Sequence, residues 1–327
     1  MSGYDKDTTT DEVLEGIDLA GRRIVVTGTS SGLGLETARA LASRGAAISM
    51  LARSADKNEA AAATIREQVP GADLETREID LTSLESVRAC AEGILEAHPK
   101  IDVLINNAGV MVCPFSKNAD GFENQLMSNH IGHFLLSILL TPALIRGAPS
   151  RLVELSSGAH GMSAFDFDDP NFERREYDPW IAYGQSKTAN ALFAFEYDRR
   201  LRDRGVSAYS VHPGVIMTEL GRHMTPETMQ QMQDQVRARA EESGEPLPDE
   251  PPAMAVKSVE AGAATQCWAA TAPELADQGG KYLADCQVGV VGGDVSASGV
   301  EPHAQDPEAA ARLWTLSEEW VGQKLEA

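Results

Sequence analysis

Positive charge is scarce in this sequence: 28 Lys and Arg stand against 49 Asp and Glu, a formal net charge of −21 over 327 residues. That balance argues against nucleic acid or an anionic membrane as the main partner, and any anionic ligand needs local compensation. Cysteine is equally thin. Cys90, Cys113, Cys267 and Cys286 lie far apart, with neither Cys-x-x-Cys spacing nor His-rich neighbours, so they read as reduced thiols rather than a disulfide framework or a zinc site. The first 18 residues are polar and acidic and lack an apolar signal core; they read as a flexible start. Long apolar runs are missing as well, since no stretch reaches the ~18 uncharged apolar residues of a membrane span. A cytoplasmic protein without a membrane anchor is the expectation. The 43% hydrophobic content is still ample for a substantial core, no internal repeat is visible, and residues 19–327 read as one domain.

What is present is a regular alternation of strand and helix signals. Arg23 to Thr27 is a β-branched run that meets Gly28-Thr29-Ser30-Ser31-Gly32-Leu33-Gly34, after which an Ala/Leu-rich helix closes at Gly45. Strands at Ala47 to Leu51, Asp73 to Asp80, Asp102 to Ile105, Arg151 to Leu155 and Val206 to Val211 are separated by helices at Lys57 to Gln68, Ser83 to Ala97 and Phe122 to Leu144, and by one ending near Arg204. This spacing predicts a Rossmann-type α/β fold with a doubly wound parallel sheet. A strand at Lys281 to Leu283 and a last helix with Leu313, Leu316 and Trp320 facing inward complete it. Residues 221–257 break the rhythm: Thr225-Pro226-Glu227 starts a helix with Met229, Met232 and Val236 on one stripe, and Gly244 to Pro252 holds four prolines. We read this as an inserted helical, Pro-rich substrate lid.

Three constellations carry chemistry. The glycine turn between a buried strand and a helix suits a diphosphate, because small residues let backbone N–H groups approach and the helix N-terminus favours negative charge. Leu51-Ala52-Arg53 ends the second strand with an arginine where an NAD enzyme carries an acid. That favours a 2′-phosphate, hence NADP(H) over NAD(H), with NAD(H) still admissible. Tyr183-Gly184-Gln185-Ser186-Lys187 sets Tyr and Lys on one helix face, where the cation and a cofactor's positive charge are expected to bring the phenol nearer working pH. His130, His133 and His160 have no acidic cluster beside them, and no metal is expected.

In order, these residues resemble the short-chain dehydrogenase/reductase family over about residues 20 to 295. The Thr-Gly-x-x-x-Gly-x-Gly turn is Thr27 to Gly34, Asn-Asn-Ala-Gly is Asn106 to Gly109, and Tyr-x-x-x-Lys is Tyr183 to Lys187. The resemblance implies that Ser157 positions the substrate oxygen, Tyr183 moves its proton, Lys187 holds the nicotinamide ribose and Asn129 completes a proton relay. It further implies cofactor contacts from Gly28, Ser30, Ser31, Gly32, Leu33, Gly34, Arg53, Asp80, Leu81, Asn107, Ala108, Gly109, Pro213, Gly214, Ile216 and Thr218. Asn107 to Pro114, Asn129 to Phe134, Ser157-x-x-His160 and Gly184 to Asn190 are most similar to the retinol dehydrogenase and WW-domain oxidoreductase branch, which interconverts hydrophobic alcohols and carbonyls. The chain departs from the membrane-bound members by the absence of an N-terminal anchor, and from many relatives by the insertion.

The expectation is therefore an NADP-dependent alcohol dehydrogenase or carbonyl reductase acting on a small hydrophobic substrate. A homo-oligomer, dimer or tetramer, is expected from the resemblance, through helices flanking the sheet, including the one that carries Tyr183. Two rivals remain at this stage: a non-catalytic NADP(H)-sensing protein and a reductase of a C=C bond. Product analysis separates the second, and the intact Asn129, Ser157, Tyr183 and Lys187 set argues against the first.

Overall fold

The computed structural model describes residues 2–243, 256–295 and 298–326. A short helix α1 (Thr10–Val13) precedes β1 (Arg23–Thr27), α2 (Gly32–Ala42), β2 (Ala47–Ala52), α3 (Ala55–Gln68), β3 (Leu74–Glu78), α4 (Leu84–Ala97) and β4 (Val103–Asn106). Then come α5 (Asn124–Leu126), a π turn (Met127–Ile131), α6 (Gly132–Arg146), β5 (Ser150–Leu155), α7 (Pro179–Leu201), β6 (Val206–His212) and the two-residue β7 (Val215–Ile216). The chain ends with α8 (Pro226–Ser243), β8 (Val256–Lys257), α9 (Val259–Thr271), β9 (Tyr282–Ala284), β10 (Gln287–Val288) and α10 (Pro307–Val321).

Eight strands form one sheet in the order β10-β9-β6-β5-β4-β1-β2-β3, parallel except for β10, which runs antiparallel to β9. The fold is thus the expected Rossmann-type one, corrected at one edge from all-parallel to mixed; a two-residue strand is too short to announce itself by periodicity. Alternation along the strands explains the double winding. Val25, Leu104, Leu152 and Ala208 join the core under α4, α6 and α7, whereas Ile24, Val26, Ile105, Val153 and Val211 join the one under α2, α3 and α9. The chain winds outward from β1 through β2 to β3 and then crosses back to β4 on the other side of β1, so the C-terminal ends of β1 and β4 frame the crevice where such sheets bind ligands.

Three details depart from the sequence reading. The start of the chain is packed, not flexible: Val13 and Leu14 are buried against the α2/α9 side, Arg39 reaches Asp11 at 3.0 Å, and Ser2 donates to the Cys286 carbonyl at 2.6 Å. Few apolar residues sit in residues 1–18, but they fall on one face. The long helix read at Phe122 to Leu144 begins at Asn124 and is broken into a π turn over Met127–Ile131 before α6. Contrary to the reading that no stretch is apolar enough to span a membrane, Asn124–Arg146 has the length and composition for it, yet it is mostly buried inside the domain. The outer side of α7 is packed against α10. Trp314 meets Phe134, Phe193 and Tyr197 with ring centroids 5.1, 6.0 and 6.1 Å away, and His130 Nε2 lies 2.9 Å from Ser317 Oγ.

Candidate active site

The glycine turn is shaped by close packing. Gly28 has φ +74°, and a side chain there would begin 2.9 Å from the Ala108 backbone; at Gly34 it would lie 2.3 Å from the Gly28 carbonyl oxygen. Asn107 stitches the two motifs together, its Nδ2 donating to the Thr27 carbonyl at 2.8 Å, while Thr27 Oγ1 accepts from the Asn107 and Ala108 amides at 2.9 Å each. The N-cap Ser31 makes no side-chain cap, which leaves the first-turn amides of α2 for another acceptor. Thr218 lies across from Gly32, within 3.4 Å of where a Cβ would stand. Ser30 is half-buried beside the turn. Leu33 and Ile216 are half-buried and pack side-chain atoms on Gly262 of α9.

Arg53 is exposed at the end of β2 and makes no hydrogen bond or ion pair among the described residues. Asp80, beyond β3, takes the Thr82 amide and hydroxyl at 2.9 and 2.7 Å, and Leu81 is buried with its carbonyl pressed on Gly132. Across the crevice, Gly214 with φ +93° admits the Lys257 side chain, which pairs with Asp285; Pro213 is half-buried next to it.

The four candidate catalytic residues converge from three elements. Ser156 and Ser157 follow β5 and divide the labour: Ser156 is buried and donates to the Lys187 carbonyl at 2.8 Å, whereas Ser157 is half-buried with its Oγ accepting from the Ala159 amide at 3.1 Å. Tyr183 and Lys187 lie on α7, whose start is capped by Asp178. Burial dominates at Tyr183 and pushes the phenol up to about 12, with the Ser157 hydroxyl acting the other way. The expected acidification by Lys187 is not delivered by the protein alone: the ammonium stands 5.8 Å from the Tyr183 ring centroid and donates to the Leu155 carbonyl at 2.9 Å. Burial pushes Lys187 itself down to about 8, with Glu154 acting the other way. Asn129 sits inside the π turn, bonded both ways to the Val110 backbone at 2.8 and 2.9 Å and to Ser186 Oγ at 2.9 Å. Its neighbour across the loop is Gly109, where a Cβ would lie 3.2 Å from Asn129 Oδ1.

Several supporting residues escaped the sequence reading. His133 stands 2.9 Å from Thr27 Oγ1 through Nε2 and 2.9 Å from the Asn129 carbonyl through Nδ1; since a carbonyl only accepts, Nδ1 carries the proton and Nε2 accepts from Thr27. By the same logic His160 accepts the Glu301 amide at Nε2 (3.0 Å) and donates from Nδ1 to the Ser157 carbonyl (2.6 Å), tying the serine loop to the C-terminal segment. The fully buried Glu154 accepts from Asn106 Nδ2 at 2.7 Å. Period-two alternation along β5 was the available signal for Glu154; the runs Asn129 to Phe134 and Ser157-x-x-His160 marked the histidines without giving their roles.

The insertion is tethered at its base. β7 and β8 pair in parallel, Val215 with Val256 and Ile216 with Lys257, and Trp180 Nε1 donates to the Thr228 carbonyl at 2.7 Å, holding the start of α8 against α7. Thr225 and Thr228 exchange side-chain to amide hydrogen bonds at 2.9 and 3.3 Å, the helix start that the sequence announces. Met229 and Met232 are half-buried; Val236 as a side chain and the stretch from Gly244 to Ala255 lie outside the described residues.

The model of the short chain dehydrogenase family matches residues 22–229. The chain belongs to the short-chain dehydrogenase family. Within it, the protein is 40% identical over 310 residues to human retinol dehydrogenase 12, covering 95% of this chain and 89% of that one. It is 42% identical over 310 residues to a probable oxidoreductase of Streptomyces lividans, covering 91% and 97%. Among solved structures it resembles an uncharacterised protein of Mycobacterium paratuberculosis at TM-score 0.72 and 33% identity, with 98% and 100% covered. This short-chain dehydrogenase is therefore an oxidoreductase of a family that binds nicotinamide dinucleotides.

Proposed function

We propose that this enzyme interconverts a hydrophobic alcohol and its ketone or aldehyde, using NADP(H) in preference to NAD(H). The observation that carries the reading is the convergence of Ser157, Tyr183 and Lys187 at the C-terminal edge of β5, with Asn129 behind them and the glycine turn of β1 alongside. Support for a dinucleotide comes from the tight Gly28 to Gly34 turn, which excludes side chains, from the uncapped α2 start, which offers amides, and from Asn107 and Ala108 pressed on the turn with Thr218 opposite Gly32; we assign the remaining contacts to Asp80, Leu81, Gly109 and Pro213 to Ile216. Arg53, exposed and unpaired among the described residues, is the group that would take a 2′-phosphate.

When bound, the nicotinamide gives or takes the hydride at the substrate carbon. The protein handles the oxygen. Ser157 holds it by a hydrogen bond, and Tyr183 gives the proton in reduction or takes it in oxidation, where negative charge develops on that oxygen. A phenol held at about 12 is a poor base, so Tyr183 acts best as an acid until a nearby positive charge lowers it. In the protein alone Lys187 does not supply that charge; its ammonium would hold the nicotinamide ribose, and Asn129 fixes the loop and helix against which it is set.

Phe115 after β4, Met217 after β6 and Val256 in β8 are exposed apolar side chains, and we take them as candidates to meet a hydrophobic substrate. The name of the human relative points to the same class of alcohol. The tethered segment 221–257 acts as the cover. NADPH and NADH consumption measured side by side over hydrophobic aldehydes and ketones tests the reading: turnover with NADPH ahead of NADH supports it, and tight NADPH binding without turnover on any carbonyl sinks it.

A further inference from the structure

Glu154 is out of keeping with its surroundings. It is fully buried, faces the α6/α7 layer as Leu152 does, and precedes the residue whose carbonyl receives the Lys187 ammonium. On the adjoining strands Asn106 and Ser210 stand beside it in register, so three polar side chains make a lateral row beneath the site. Among the described residues only one carboxyl oxygen is engaged, by Asn106 Nδ2 at 2.7 Å, and neither Oε1 nor Ser210 Oγ has a hydrogen-bond partner. Among the described residues the one basic side chain within 4.0 Å of Oε1 is His133, whose Nδ1 spends its proton on the Asn129 carbonyl; the Lys187 ammonium makes no direct ion pair with Glu154 and stands at the carbonyl of the next residue, Leu155. Burying a carboxyl with half of its hydrogen-bonding capacity unused is costly, and an amide would satisfy Asn106 equally well. A group serving the fold alone has no need of the charge.

We propose that Glu154 is a positioning residue for Lys187: its carboxylate is the buried counter-charge that keeps the ammonium protonated and held at the Leu155 carbonyl. The inference rests on the reading of Lys187 as part of the reacting site. Burial drives both groups towards their neutral forms, Glu154 upward and Lys187 downward, and each opposes that drive in the other. On α6 the facing titratable group is His133, kept neutral by burial; β4 and β6 contribute only the uncharged Asn106 and Ser210.

The test titrates Lys187 directly by NMR of a lysine-labelled protein, its signal assigned through Lys187→Met, in wild type and Glu154→Gln. The wild-type midpoint is expected near 8, and the variant's lower by about one unit or more. The alkaline limb of the kcat/KM profile should move down with it. An unmoved or raised midpoint overturns the proposal. If wild type turns over no carbonyl while the midpoint still moves, the pairing stands and the proposed function fails. Glu154→Asp, which keeps the charge, should restore most of the wild-type midpoint. Should Glu154→Gln and Glu154→Asn both fail to fold while Glu154→Asp folds, the carboxylate serves the fold and the proposal is overturned.

Discussion

Replacing Trp314 with alanine removes the centre of the contact between α10 and the layer that carries Tyr183 and Lys187. The indole is 2% exposed, sits against Phe134, Phe193 and Tyr197, and has the Arg200 guanidinium 4.5 Å from its ring centroid. Its Nε1 has no hydrogen-bond partner among the described residues, so the loss is one of apolar packing and cation–π contact. A buried tryptophan covers roughly 150–250 Å²; at about 25 cal/mol per Å², and with the cavity left behind, the expected cost is about 4 kcal/mol. For a chain of this size that is a fall in Tm of about 8 °C, taking the lower end of the per-kcal shift for large domains. Trp314→Phe should recover most of it, since no hydrogen bond depends on the indole nitrogen. Calorimetry at matched scan rates is the assay. A fall below about 2 °C, close to surface-mutation behaviour, would refute the view that α10 is an integral layer.

Further expectations follow from the site and its buried histidines. Arg53→Asp should lower the preference for NADPH over NADH by about 10–100-fold, the worth of a charge-assisted hydrogen bond to a phosphate, read as the ratio of kcat/KM values; an unchanged ratio removes Arg53 from cofactor choice. Trp180→Phe cuts the tie to Thr228 and should raise KM for bulky carbonyls several-fold while sparing small ones; an equal effect on both rejects the lid. Burial lowers His130 to about 3 and His133 and His212 to about 4. The unfolded chain therefore binds more protons below about pH 6.5, and stability should fall with acidification by about 2 kcal/mol per histidine between pH 6.5 and 5. Urea midpoints across that window check it, and a flat profile contradicts the neutral, buried assignment.

Much of this architecture was legible in the residues because the same physics wrote both levels. Glycines at 28 and 34 mark a turn pressed on Ala108 and on itself, and the alternation of strands with Ala/Leu-rich helices admits little besides a doubly wound sheet. Ser156 and Ser157, side by side, could be separated only by position, the first committed to the backbone of α7 and the second left to the cleft. What stayed hidden has no local signature. The π turn that aims Asn129 depends on packing between Val110 and Ser186, β10 is only two residues long, and α1 gains its stability from α2 and α9. Tyr183 shows the limit of motif reading, since the Tyr-x-x-x-Lys spacing is intact while burial, not the lysine, sets the phenol of the protein alone.

The central claim, that Tyr183 moves the proton in a carbonyl–alcohol interconversion, is tested most directly by NADPH consumption over hydrophobic carbonyls with wild type and Tyr183→Phe in parallel. The account predicts turnover by wild type and a loss of about 10²–10⁴-fold in kcat for the variant, with NADPH affinity retained. Equal turnover by the two proteins would contradict it.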